Sequence, residues 1–237
     1  MARRKVILFL VEGNSDKTAL GVILGRLFTT PEIIVEVVGN DITAMTGVQP
    51  ENILSITGGI VENFVANNKG YGLKDISMII QLTDTDGAYV PEKAVMEDRS
   101  QDDHFYTPTA ILTPEPDNVI SRNKQKAKNI NKLYPKSKLG SAKYRLYYMS
   151  CNLDHVLYDK QNNKNKGYDA EEFWQRYADD LDGFVDFISN SDFSVTCEGA
   201  EDRYKESWKF IKKDLHSLER HTNFGLCLEE LKGSSIS

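Results

Sequence analysis

Only three cysteines occur in the chain, Cys151, Cys197 and Cys227, far apart and with no second Cys or His at ligand spacing. That excludes a disulfide framework and a zinc knuckle, and it fits a reducing compartment. Long hydrophobic runs are missing too. The first apolar run, Val6 to Val11, is stopped by Glu12, far short of the ~20 residues of a membrane span. The basic start, Met1 to Lys5, is followed by no small-residue cleavage site, so a cytoplasmic, non-membrane protein is expected. There is no GxxxxGK phosphate loop and no internal repeat, which argues against a self-contained P-loop ATPase and a solenoid. Hydrophobic residues at 40% and charged residues at 27% exclude wholesale disorder. A chain of 237 residues suits one large domain, or a medium domain with an appendage.

Acidic residues are absent from one stretch of a chain whose formal charge is −6. Between Asn118 and Leu153 there is no Asp or Glu, while Arg122, Lys124, Lys126, Lys128, Lys132, Lys136, Lys138, Lys143 and Arg145 all fall there. An acidic body therefore carries one basic segment. Its members from Arg122 to Lys138, in an insertion over about 118–142, are candidates for contacts to nucleic-acid phosphates. Tyr134, Tyr144, Tyr147 and Tyr148 are interleaved. They offer stacking faces to bases, although core packing on the strand that follows accounts for most of them.

Val6 to Val11 (VILFLV) is apolar throughout, as a strand buried on both faces requires. After Glu12-Gly13, Ser15 is placed to cap a helix with Ala19, Leu20, Ile23, Leu24 and Leu27 on one side. Ile33–Val38 reads as a strand, Asn52–Asn67 as a helix, and Ile76–Leu82 as a third strand ending at Thr83-Asp84-Thr85-Asp86-Gly87. Ala110–Leu112 reads as a short strand and Lys143–Met149 as a fourth strand of the main sheet. Asp169 with Glu172 opens a helix through Ile188, and Tyr204, Trp208, Ile211, Leu215 and Leu218 suggest another. The pattern implies an α/β fold with a mostly parallel sheet flanked by helices, over residues 1–158, and a helical C-terminal subdomain over 167–237.

Two acidic turns stand out. Glu12 ends one strand and the Asp84/Asp86 pair ends another, and open parallel sheets bind ligands at the carboxyl ends of their strands. Like charges gathered at one edge are costly unless a cation neutralises them. Mg²⁺ takes carboxylate oxygens and retained water. Each turn alone has a plain structural reading, as a helix start or an Asx turn.

The order VILFLVEGNSD, a strand-helix unit, then IIQLTDTDG resembles the TOPRIM fold of topoisomerases, primases and nucleases, a Rossmann-like sheet, over roughly the first half of the chain. The VEGxSD form and the downstream Leu153-Asp154 are most similar to the nucleases of overcoming-lysogenization-defect and abortive-infection proteins. That resemblance implies a Mg²⁺- or Mn²⁺-dependent endonuclease with one or two ions. Glu12, Asp84 and Asp86 would bind metal, Glu12 also serving as acid or base. Asp16 would support them, and Asp154 would stand where relatives carry a Glu for a second metal. A lysine that steadies the transition state would be Lys143 or Lys209. The resemblance further implies anti-phage defence, a separate ATPase partner and pairing with a second copy of the chain.

Two other readings stay open. Asp84-Thr85-Asp86-Gly87 partly resembles the nucleophile loop of haloacid-dehalogenase-type phosphatases, but two strand-helix units precede it and Glu12 is left without a role. A regulatory subunit that binds nucleic acid without cutting it is the non-enzymatic alternative. DNA and RNA substrates are not separated by any base-reading module.

Overall fold

The computed structural model describes residues 4–39 and 42–233. In chain order its elements are β1 (Lys5–Val11), α1 (Asn14–Phe28), β2 (Ile33–Gly39), α2 (Ile53–Asn67), β3 (Ile76–Asp84), β4 (Val95–Glu97), β5 (Phe105–Tyr106), β6 (Ile111–Thr113), α3 (Pro116–Leu133), β7 (Lys138–Leu139), β8 (Ala142–Ser150), α4 (Leu153–Tyr158), α5 (Lys166–Tyr177), α6 (Leu181–Ile188), α7 (Arg203–Ile211), β9 (His221–Thr222) and α8 (Phe224–Gly233). The fold is α/β, with a mostly parallel mixed sheet and helices about it. Contacts divide the chain into two compact units, one of residues 1–83, 128–147 and 166–184, the other of 84–127, 148–165 and 185–237.

The first unit holds strands in the order β2-β1-β3-β8-β7. β1 lies between β2 and β3, and Val6 to Val11 are all at most 2% exposed, which is why the run is apolar without alternation. β1 pairs in parallel with β2, Lys5 opposite Ile33 through Val11 opposite Gly39, and with β3, Leu10 opposite Gln81. β7 and β8 form an antiparallel hairpin, Lys138 opposite Lys143. On α1, Ala19, Leu20, Ile23, Leu24 and Phe28 are buried, and burying each such side chain contributes about 1.5–3 kcal/mol before entropy is counted. α1 packs on β2 and on α5, where Arg26 donates to the Ala178 carbonyl at 2.6 Å and pairs with Asp179.

The second unit carries a small sheet, β4-β6-β5, parallel between β4 and β6 and antiparallel between β5 and β6. Val95, Tyr106, Ile111, Val119, Cys151 and Leu218 form a buried cluster there. β9 pairs antiparallel with the end of β8, Met149 opposite Thr222.

Four expectations need correction. The basic stretch expected as an insertion over 118–142 is mostly the eighteen-residue helix α3. Its buried positions Val119, Asn123, Lys126, Asn129, Ile130 and Leu133 follow helical spacing, but three of the six are polar, which hid the period. The first helix is capped by Gly13 and not by Ser15. The helix expected through Leu218 stops at Ile211. The helix expected from Asp169 through Ile188 is divided into α5 and α6, and by contacts α5 groups with α1. Among the described residues no helix is long and apolar enough to cross a membrane.

Candidate functional site

In the first unit, Glu12 directly follows β1. Continuing the β1–β3 register by two residues sets it opposite Thr83, whose hydroxyl donates to Glu12 Oε1 at 2.7 Å. Thr43 donates to the same oxygen at 3.1 Å, and the two hydroxyls are 3.2 Å apart. Both threonines are at most 1% exposed. Asn129 holds the Thr43 segment by donating to the carbonyls of Thr43 (2.9 Å) and Val48 (3.1 Å). Two threonine hydroxyls thus fix the position of Glu12 Oε1.

The turn after Glu12 is closed by Asp16, which accepts the Gly13 N–H at 2.9 Å and the Ser15 hydroxyl at 3.3 Å. Burial pushes its carboxyl above the usual range, opposed by those hydrogen bonds and by the Lys166 charge. Asp16 therefore closes the turn that follows Glu12. Gly39, at the end of β2, passes so close that an added Cβ would lie 2.9 Å from the Gly13 carbonyl.

In the second unit, Asp84 Oδ1 accepts the Leu153 N–H at 2.8 Å. Leu153 opens α4, where Asn152 accepts the His155 N–H at 2.9 Å as the cap. The loop after Asp84 is tied down along its backbone. Thr85 N–H donates to Met149 O (3.0 Å), Asp86 N–H to Cys151 O (2.7 Å) and Gly87 N–H to Ser217 O (3.1 Å). The Thr85 hydroxyl also reaches Ser217 O, at 2.6 Å. Asp86 (φ 47°) and Gly87 (φ 68°) both take left-handed backbone, a conformation that favours Asp and Gly over bulkier residues.

The Asp86 carboxylate pairs with the ammonium of Lys126, whose side chain is 0% exposed, and accepts the Tyr106 hydroxyl at 3.2 Å. Arg122 donates to the Asp86 carbonyl at 3.1 Å and lies 3.3 Å from His104. Burial works against ionisation of Asp86, but Lys126 and Arg122 outweigh it and hold the carboxyl below its ordinary range. The Tyr106 hydroxyl is pushed well up by burial and by the Asp86 charge. Burial and the Asp86 and Asp84 charges likewise push the Cys151 thiol well up.

Several sequence-derived candidates are placed elsewhere. Lys143 is exposed in the β7–β8 hairpin, and Lys209 is exposed on α7 and pairs with Glu206 at 2.7 Å. The lysine that reaches an acidic strand-end loop is Lys126. Of the seven basic residues proposed to bind phosphates, Arg122 and Lys126 turn inward to Asp86. Lys124 is exposed and pairs with Glu92 at 2.7 Å, Lys128, Lys132 and Lys138 are exposed, and Lys136 is half-buried. Asp154 is 4% exposed in the first turn of α4 and accepts Asn163 Nδ2 at 3.2 Å. Among the described residues, no three His, Cys, Asp or Glu side chains are gathered in a finished metal-binding arrangement. Thr43, Thr83, Tyr106 and His104 were missed by sequence reasoning. Only Thr83, inside LTDTDG, carried a signal.

No protein-family description, no curated protein and no solved structure matches this chain.

Proposed function

We propose that the chain is a Mg²⁺- or Mn²⁺-dependent nuclease of TOPRIM type, in which Glu12 and Asp84 are the principal metal-binding carboxylates and Asp86 assists. The observation that carries this reading is the acidic residue at the end of β1, held by Thr83 from the parallel neighbouring strand, immediately before Asp84 in the chain. Carboxylates fixed by hydroxyl and amide donors match the hard-oxygen set that Mg²⁺ takes, and Glu12 and Asp84 fit that chemistry. Asp86, already neutralised by Lys126, fits it less well. A bound ion would supply an activated water and stabilise the departing oxygen of a phosphodiester. Thr43 and Thr83 fix the orientation of Glu12. Anti-phage defence with a separate ATPase, DNA or RNA as substrate, and self-association belong to the same proposal through the TOPRIM resemblance.

The test is cleavage of plasmid, single-stranded DNA, total RNA and tRNA with Mg²⁺ or Mn²⁺ by wild type, Glu12→Gln and Asp84→Asn. Metal-dependent cutting lost in both variants supports the reading. Equal cutting by all three, or none with and without the adjacently encoded ATPase, overturns it.

A further inference from the structure

Arg122, on α3 in the second unit, is a half-buried guanidinium that meets no carboxylate among the described residues. Nε and Nη2 donate to the Asn123 amide oxygen at 3.2 and 2.9 Å, and Nη2 also faces the Asp86 carbonyl (3.1 Å) and the Tyr106 hydroxyl (3.4 Å). All of these acceptors are neutral. The Asp86 carboxylate is taken by Lys126 and by the Tyr106 hydroxyl instead. A charge drawn out of water without an opposite charge beside it is costly, so the partner this arrangement calls for is an anion.

Nη1 is where that anion would enter. It carries two N–H groups. One meets His104 Nε2 at 3.3 Å, a long bond, and the other meets no acceptor among the described residues. A guanidinium only donates, so Nε2 accepts and the ring proton sits on Nδ1, 3.0 Å from Asp103 Oδ1. The ring also lies edge-on to Tyr106, with centroids 5.0 Å apart. The His104 side chain is 27% exposed, so solvent reaches it, and the Asp103 carboxylate, 84% exposed, is screened by water. The guanidinium is fixed before any ligand arrives. Asn123, which holds Nε and Nη2, is itself 5% exposed and donates to the Gly87 carbonyl at 3.1 Å, and the Asp86 N–H is bound to Cys151 O.

We propose that Arg122 Nη1, with His104 beside it, binds a phosphate oxygen of the nucleic acid next to the Asp84–Gly87 loop. That the ligand is a phosphate rests on the nuclease reading above, whereas the binding itself needs no metal. A planar guanidinium fits a phosphate oxyanion better than a point charge does. The phosphate oxygen takes the spare N–H of Nη1 and displaces the long bond to His104, because a charged oxygen is a stronger acceptor than a neutral ring nitrogen. His104 is thus a positioning residue that holds Nη1 until the ligand arrives. The division of labour is set by Lys126: with Asp86 neutralised by the lysine, the arginine's charge is left for the ligand. A terminal phosphomonoester and a backbone phosphodiester both offer this chemistry.

The chain has four histidines, His104, His155, His216 and His221, which makes a direct test practical. Full-length protein in chelator, without added metal, is titrated with inorganic phosphate and with oligothymidylate carrying or lacking a 5′-phosphate. The histidine ring nitrogens are followed by long-range ¹⁵N–¹H correlation. The expected result is a saturable shift of His104 Nε2 with inorganic phosphate while the other three rings stay unmoved. A response to the 5′-phosphorylated oligonucleotide alone assigns the site to a strand end, and an equal response to both assigns it to the backbone. Arg122→Gln should weaken phosphate binding by at least about tenfold, the cost of losing a hydrogen bond to a charged group. Arg99→Gln, at an exposed arginine paired with Glu97, should leave it intact. Shifts at all four rings or at none, or unchanged binding in Arg122→Gln, would overturn the proposal. The wild-type spectra decide the matter if Arg122→Gln fails to fold. Phosphate binding at His104 without metal-dependent cutting keeps this site and sinks the nuclease reading, and cutting without a response at His104 does the reverse.

Discussion

At the scale of single residues, the Asp86–Lys126 pair sets what the acidic loop of the second unit can do. Two carboxylates two residues apart invite an external cation, but one of them is met by a lysine with no exposed surface. Removing one partner of such a pair leaves the other charge buried and uncompensated. Lys126→Met is expected to cost about 3–5 kcal/mol, whereas the double variant Lys126→Met/Asp86→Asn, with neither charge left, should recover much of that loss. Denaturant unfolding of wild type, both single variants and the double variant measures the coupling. Additive effects would show that the pair is not a unit.

At the scale of elements, the strand-to-helix turn that carries Glu12 depends on a glycine in another strand. Gly39 ends β2 against the Gly13 carbonyl, and no side chain fits into that gap without pushing the turn aside. Gly58, within α2, has open space where its Cβ would be. Gly39→Ala is expected to destabilise by about 1–3 kcal/mol through crowding. Gly58→Ala should instead stabilise by about 0.5–1 kcal/mol, by restricting the unfolded chain in a helix interior. Thermal or denaturant melts of the two variants side by side check both signs. A neutral Gly39→Ala would mean that the turn yields freely.

At the scale of the whole molecule, the chain passes between the two units five times, so neither is a contiguous piece of sequence. A chain ended at residue 158 would lack α5, whose packing against α1 includes the contact of Arg26 with the Ala178 carbonyl. It would also lack Ser217 and Leu218, which hold the Asp84–Gly87 loop and fill the cluster beneath it. Such a fragment is expected to show no cooperative thermal transition. A sharp melt with dispersed amide resonances would restore the contiguous division read from the sequence.

What the sequence determined by itself was the layout of strongly periodic or uniformly apolar segments, β1, α1, β2, α2, β3 and β8, and the position of Glu12 and Asp84 at strand ends. These follow from burial on both faces or on one, which composition writes directly into the chain. Tertiary structure alone decided the rest. α3 was read as a basic insertion because Asn123, Lys126 and Asn129, on its buried face, are polar; the Asp86 carboxylate meets Lys126, and the carbonyls of Gly87, Thr43 and Val48 meet the two amides. Thr43 supports Glu12 across thirty-one positions of chain, and a hydroxyl leaves no pattern that local reading detects.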